Sequence, residues 1–197
     1  SVGSVVGGEL QGQSVLITGA SSGIGLAMAR RFLVEGCKVI LSGRTEVKLQ
    51  QASLYLKQKG FSNVEYIVID QLNDTELWTK SQNVFRKYNI NILINNAGIF
   101  KKTDRDGRFR CIKDEDYLPG MNTNLKSSMV LSISFAEYCK RESFVGHILN
   151  TSSVCGLFDS MGMTPYGISK AGVIELTKQV AFAYKDIVTC NSIAPGS

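Results

Sequence analysis

The sequence predicts an α/β chain on a doubly wound, mostly parallel sheet. Three observations carry that prediction. Short β-branched runs alternate with longer stretches of helical periodicity. The alternation repeats about five times along the chain. A glycine-rich turn, Thr18 to Gly25, stands between the first run and the first helical stretch. Strand then helix, repeated, requires crossover connections, and those place helices over both faces of a parallel sheet.

The strand candidates, in order, are Val15-Leu16-Ile17, Val39-Ile40-Leu41, Val64 to Ile69, Ile92-Leu93-Ile94, Ile148-Leu149 and Ile187-Val188. Between them the helical period puts Ile24, Ala27, Met28 and Phe32 on one face. It also groups Met121, Leu125, Met129 and Ile133, and later Ala171, Ile174, Val180 and Ala181. Gly36 and Gly60 stand where two of these helices should stop. There is no internal repeat and no linker after residue 13. The economical division is a flexible N-terminal segment, 1–13, and one doubly wound domain, 14–197.

The chain has 197 residues, 44% hydrophobic and 20% charged, which is enough apolar material for a sizeable core and excludes a disordered tail. No apolar run approaches the length of a membrane span. The N-terminus carries no secretory pattern. The net charge of +5 is dispersed except at Lys101, Lys102, Arg105, Arg108 and Arg110. Asp104 and Asp106 dilute the field there, so a solvated loop is expected rather than a nucleic-acid patch. Five widely spaced cysteines, with His147 as the single histidine, do not form a metal set. Free thiols fit a reducing compartment, hence a cytoplasmic location.

The turn Thr18-Gly19-Ala20-Ser21-Ser22-Gly23-Ile24-Gly25 follows a strand and opens a helix. Glycine there lets a pyrophosphate approach the backbone, and the helix N-terminus offers free N–H groups. A plain glycine turn is the alternative. The second strand ends Leu41-Ser42-Gly43-Arg44-Thr45, with no acid before Glu46. An acid at that point would bind the ribose 2′-hydroxyl of NAD, whereas an arginine accepts the 2′-phosphate of NADP. Arg44 therefore favours NADP over NAD, the alternative being an exposed arginine near the next helix. Asn95-Asn96-Ala97-Gly98 ends the fourth strand, on the side where ligands bind in such sheets.

Tyr166 and Lys170 are spaced i, i+4 and share one helix face. An ammonium beside a phenol favours the phenolate, as a general acid/base near neutral pH requires. Thr151-Ser152-Ser153 ends the fifth strand at the same rim. Cys155, two residues on, either borders that site or is a small buried filler.

From about Ser14 to Gly196 these motifs resemble the compact branch of the short-chain dehydrogenase/reductase family. The family's T-G-x-x-x-G-x-G is met at Thr18 to Gly25, its N-N-A-G at Asn95 to Gly98, and its Y-x-x-x-K at Tyr166 to Lys170. Its serine stands thirteen positions before the tyrosine, at Ser153, and its P-G is Pro195-Gly196. The resemblance implies a single-domain Rossmann fold, usually dimeric or tetrameric, exchanging a hydride between NADP(H) and a small carbonyl or secondary alcohol.

It further implies Tyr166 as acid/base, Lys170 as its cationic partner and ribose ligand, and Ser153 as holder of the substrate oxygen. Asn124 matches the asparagine that supports a proton-relay water, with Asn122 a poorer match. Gly19, Ser21, Ser22, Gly23, Ile24 and Gly25 line the pyrophosphate, and Asp70 meets adenine. Asn96, Ala97, Gly98, Pro195 and Gly196 border the nicotinamide.

Three departures accompany the match. The stretch from Asn96 to Asn124 is a few residues longer than usual and holds the basic loop. Lys170 to Pro195 is a few residues short. The chain also stops at Ser197, where family members add a substrate-covering segment and a final strand, so both are expected to be lacking. The alternatives to a reductase are a nucleotide-binding protein with little turnover and a binding module using residues 101 to 110.

Overall fold

A computed structural model describes residues 8–71, 74–100, 113–159 and 164–196. Six strands form one sheet: β1 (Ser14–Thr18), β2 (Lys38–Gly43), β3 (Val64–Val68), β4 (Ile92–Asn95), β5 (Gly146–Thr151) and β6 (Val188–Ile193). Their order is β3-β2-β1-β4-β5-β6, and every pairing is parallel. The chain thus leaves β1 in one direction, returns, and continues from β4 in the other. The strand order reverses between β1 and β4, and a crevice opens at their carboxyl ends.

Period-two alternation sends successive strand residues to opposite faces. Val15, Ile17, Val39, Leu41, Ile92 and Ile94 face one core, closed by α1 (Gly23–Val34) and α2 (Glu46–Gln58). Leu16, Ile40, Leu93 and Ile148 face the other. That side is closed by α3 (Asp74–Tyr88), α5 (Ser127–Glu142) and α6 (Thr164–Ala183), around the rings of Phe85, Phe135 and Tyr138. A short helix α4 (Asp114–Gly120) runs through a π-helical turn, Met121–Lys126, into α5.

Helices α1 and α2 end just before Gly36 and Gly60, as the sequence predicts. Two helix faces, on α1 and α6, differ from expectation. The buried stripe of α1 is Gly25, Ala29 and Leu33, while Ile24 is about half exposed and Met28 and Phe32 only flank the core. Small residues make the contact because α1 lies close on the sheet, and larger apolar side chains splay to its sides. Met121, Leu125, Met129 and Ile133 share one face as expected, and Leu125 also packs against the core. They line an open apolar groove against α6, while Leu131, Phe135, Ala136 and Cys139 turn inward beside buried serines. On α6 the inward residues are Val173, Leu176, Thr177 and Val180, and Ala171 is exposed.

The last strand begins where expected but continues through Thr189, Asn191 and Ser192, polar residues of an edge strand. Residues 8–13 fold rather than trail. Gly12 N donates to Gly36 O, Cys37 Sγ contacts Leu10 O, and Leu10 packs on the α1 core. The earlier part of the expected flexible segment, the basic loop, Cys111, residues 160–163 and Ser197 lie outside the described residues. Cys37, Cys139, Cys155 and Cys190 form no disulfide among the described residues. Among the described residues, no helix is long and apolar enough to cross a membrane.

Candidate active site

The crevice between β1 and β4 is tightened by glycine. A side chain at Gly19, whose φ is +62°, would meet Ala97 Cα at 2.7 Å; one at Gly25 would meet Gly19 O at 2.4 Å and Asn96 Nδ2 at 2.5 Å. The turn can therefore fold flat against the asparagine loop only with hydrogen at both positions. Thr18 fastens the two. Its Oγ1 accepts from Asn96 N and Ala97 N, each at 3.0 Å, and Asn96 Nδ2 donates back to Thr18 O and Gly19 O at 3.2 Å.

Ser22 is the extended N-cap of α1, and its side chain makes no capping bond. The first turn of a helix has N–H groups without helical acceptors, and they carry its positive pole. Ser21 is half-buried, and Ser22, Gly23 and Ile24 are exposed beside them. This bare backbone cradle fits a pyrophosphate. Arg44 is exposed just beyond β2 and Asp70 just beyond β3, both at the same carboxyl rim.

Asn124 is buried in the π-helical turn, an irregularity often found at functional positions. Its side chain is fully engaged. Oδ1 accepts from Ile99 N at 2.8 Å, and Nδ2 donates to Ile99 O and Ser169 Oγ, each at 3.0 Å. Asn124 thereby ties the irregular segment at Ile99 to α6, and a water could meet it only at the backbone. Gly98 leaves room for this: a Cβ there would lie 3.3 Å from both Asn124 Oδ1 and Lys170 Nζ.

Ser153 caps the 3-10 turn Val154–Gly156, its Oγ accepting from Cys155 N at 3.2 Å. Two glycines allow that turn to nest on α6. A Cβ at Gly156 would meet the Lys170 backbone at 2.7 Å, and one at Gly167 would meet Cys155 O at 2.8 Å. The nesting brings Ser153 to the helix face that carries Tyr166 and Lys170. Ser152 Oγ donates to Lys170 O at 2.7 Å, and Val154 N donates to Pro195 O at 3.1 Å, which draws in the chain after β6.

Lys170 is 4% exposed. Its Nζ donates to Thr151 O at 2.9 Å and stands 5.7 Å from the Tyr166 ring centroid. Burial lowers its pKa from the usual lysine range to about 8.

Ile24, Asn96, Gly98, Ser153, Tyr166, Lys170, Pro195 and Gly196 share one open cleft of about 520 Å³, and Cys155 borders it too. Asn124 stands behind its wall. Sequence reasoning missed two groups. Phe100 lines the cleft and meets Tyr166 edge to face; an aromatic two residues after Asn-Ala-Gly was the available signal. Behind the cleft lies a buried amide chain. Asn95 Nδ2 donates to Ser132 Oγ at 3.0 Å and Asn150 Oδ1 at 2.9 Å, and Asn150 Nδ2 donates to Thr177 Oγ1 at 3.0 Å. Its signal was an asparagine near the end of each of two adjacent strands.

Comparison with known proteins agrees with this geometry. The family model for short chain dehydrogenase matches residues 13–197. The chain is 35% identical over 189 residues to the 3-oxoacyl-(acyl-carrier-protein) reductase FabG of Rickettsia prowazekii, covering 95% of this chain and 73% of that protein. It is 36% identical over 192 residues to the FabG of Thermotoga maritima, covering 95% and 75%. Among solved structures, a short chain dehydrogenase from Mycobacterium smegmatis superposes with a TM-score of 0.87 at 29% identity, over 95% of this chain and 78% of that one. An actinorhodin polyketide ketoreductase variant with NADPH gives 0.84 at 28% identity, over 94% and 70%. With its motifs on one rim of a matching sheet, the chain belongs to the short-chain dehydrogenase family of NAD(P)-dependent oxidoreductases.

Proposed function

We propose that this chain reduces a ketone to a secondary alcohol with NADPH, using Tyr166 as the proton donor. The observation that carries the reading is the convergence of Ser153, Tyr166 and Lys170 on one cleft that Ile24 of the glycine turn and Asn96 also line. When bound, the nicotinamide supplies the hydride. Ser153 Oγ holds the carbonyl oxygen, and the Tyr166 hydroxyl delivers its proton to that oxygen. Lys170 places a positive charge beside the phenol and a donor for a ribose hydroxyl. Asn124 keeps the Gly98 backbone and α6 in register, so it is a positioning residue. The similarity to 3-oxoacyl-(acyl-carrier-protein) reductases suggests 3-oxoacyl thioesters as the first substrates to assay. The test is consumption of NADPH, followed by absorbance, with a 3-oxoacyl thioester and simple ketones. Tight nucleotide binding with no consumption would instead favour a binding protein without turnover.

Arg44 gives a separate prediction. NADPH is expected to bind more tightly than NADH, because a guanidinium at the rim meets the 2′-phosphate. Arg44→Ala should reduce that preference about tenfold, and raising the salt should reduce it in the parent, since part of the gain is screened attraction. Fluorescence titrations with both nucleotides measure it; equal affinities in the parent would remove the argument.

A further inference from the structure

We infer that Phe100 is a specificity-determining residue, selecting uncharged carbonyl compounds whose reacting carbon carries an apolar flank. This rests on the reduction reading above. The Phe100 and Tyr166 ring centroids are 5.3 Å apart and the planes cross at 83°, an edge-to-face contact that holds the phenyl beside the proton donor. Even so, 53% of Phe100 remains exposed. The ring is thus anchored on one side and bare on another, at the mouth of the cleft that holds Ser153 and Tyr166. Ile99, Val154 and Cys155 continue that wall without a charge.

Electrostatics points the same way. Among the described lining residues the one charged group is Lys170, which is 4% exposed and already donates to Thr151 O. A substrate carboxylate next to the carbonyl would lose water and meet, among the described lining residues, no exposed cation. A phenyl or alkyl flank would instead cover the bare ring and leave the carbonyl between Ser153 and Tyr166.

Two 3-oxo esters isolate the effect: ethyl benzoylacetate and ethyl acetoacetate differ only in a phenyl or methyl flank on the reacting carbon. The NADPH-loaded enzyme is expected to prefer the phenyl ester about tenfold in kcat/KM, chiefly through KM. Phe100→Ala should bring the ratio near one, and Phe100→Leu should retain part of it. A melting profile shows that each variant is folded. A ratio that stays the same or rises in Phe100→Ala overturns the assignment, the rise because the ring would then be an obstacle.

The second readout needs no turnover. Calorimetry follows the phenyl-bearing alcohol, ethyl 3-hydroxy-3-phenylpropanoate, binding to the protein loaded with NADP. If neither ester is reduced but this alcohol binds about tenfold more weakly to Phe100→Ala, the reduction reading fails and the Phe100 assignment stands. If the alcohol binds both proteins equally, or neither, the Phe100 assignment fails whatever the turnover.

Discussion

Tyr166→Phe should cut ketone reduction by roughly a thousandfold while leaving nucleotide affinity within about twofold, because it deletes the proposed general acid and little else. The phenylalanine keeps the ring, and with it the edge contact to Phe100. The backbone carbonyl of residue 166 still accepts from Ser169 Oγ at 2.7 Å, so the first turn of α6 is held as before. Neither the glycine cradle nor the Ser153 turn depends on the phenol oxygen. The loss should therefore fall on kcat with KM little moved. Steady-state kinetics and a nucleotide titration on the same preparation decide it. Near-normal reduction by the variant would show that the proton comes from elsewhere.

Lys170→Met should make the protein inactive and more stable. The ammonium is buried with its bond to Thr151 O, and its pKa sits at about 8 against 10.5 for an exposed lysine. The sign follows from proton counting. Below about pH 8 the native and unfolded chains both hold the proton, and the native state bears the full cost of a buried charge. Between about pH 8 and 10.5 the native lysine is neutral while the unfolded one is still charged. Unfolding then takes up a proton, and stability rises with pH in that window. Two and a half pKa units correspond to roughly 3 kcal/mol. Loss of the bond to Thr151 O offsets part of it, leaving a net gain of about 1–2 kcal/mol near neutrality. Thermal melts of both proteins at pH 7 and near pH 10 measure this: the gap should be open at the first and nearly closed at the second. A variant less stable than the parent at pH 7 would mean that the ammonium contributes more in contacts than its burial costs. Nucleotide affinity and turnover should both fall, since in the proposed mechanism one group serves phenol and ribose.

Much of this architecture was legible because its signals are local. Strand residues such as Val39-Ile40-Leu41 are apolar on both faces, as a sheet covered on both sides requires. The glycine turn and the Tyr166–Lys170 spacing each describe a single segment, and the structure sets both on one rim. What was not legible depends on how segments meet. The α1 stripe of Gly25, Ala29 and Leu33 carries little hydrophobic weight, and periodicity passed over it for Ile24 and Phe32. On α5 the inward serines Ser127, Ser128, Ser132 and Ser134 read as a polar face, but they serve partners on other elements and in the preceding turn. The engagement of Asn124 with Ile99 required the two residues to be in place before it could be read.

The amide chain through Asn95 and Asn150 has a consequence for how the protein opens. It runs from Ser132 on α5 across two strands to Thr177 on α6, and Asn150 Nδ2 also reaches Cys190 Sγ on β6 at 3.6 Å. Buried amides cannot exchange these partners for water without exposing one another. Hydrogen-exchange protection in β4, α5, β5, α6 and β6 should therefore rise and fall together as one cooperative unit. Among the described residues, β2, α2 and β3 have no such amide chain and rest mainly on apolar packing, which leaves them freer to loosen alone. Asn124, Ser153, Tyr166 and Lys170 all belong to the tied half. On the proposed function, the half that carries Arg44 and Asp70 is the one expected to loosen around a nucleotide, while the proposed proton-transfer groups stay fixed relative to one another.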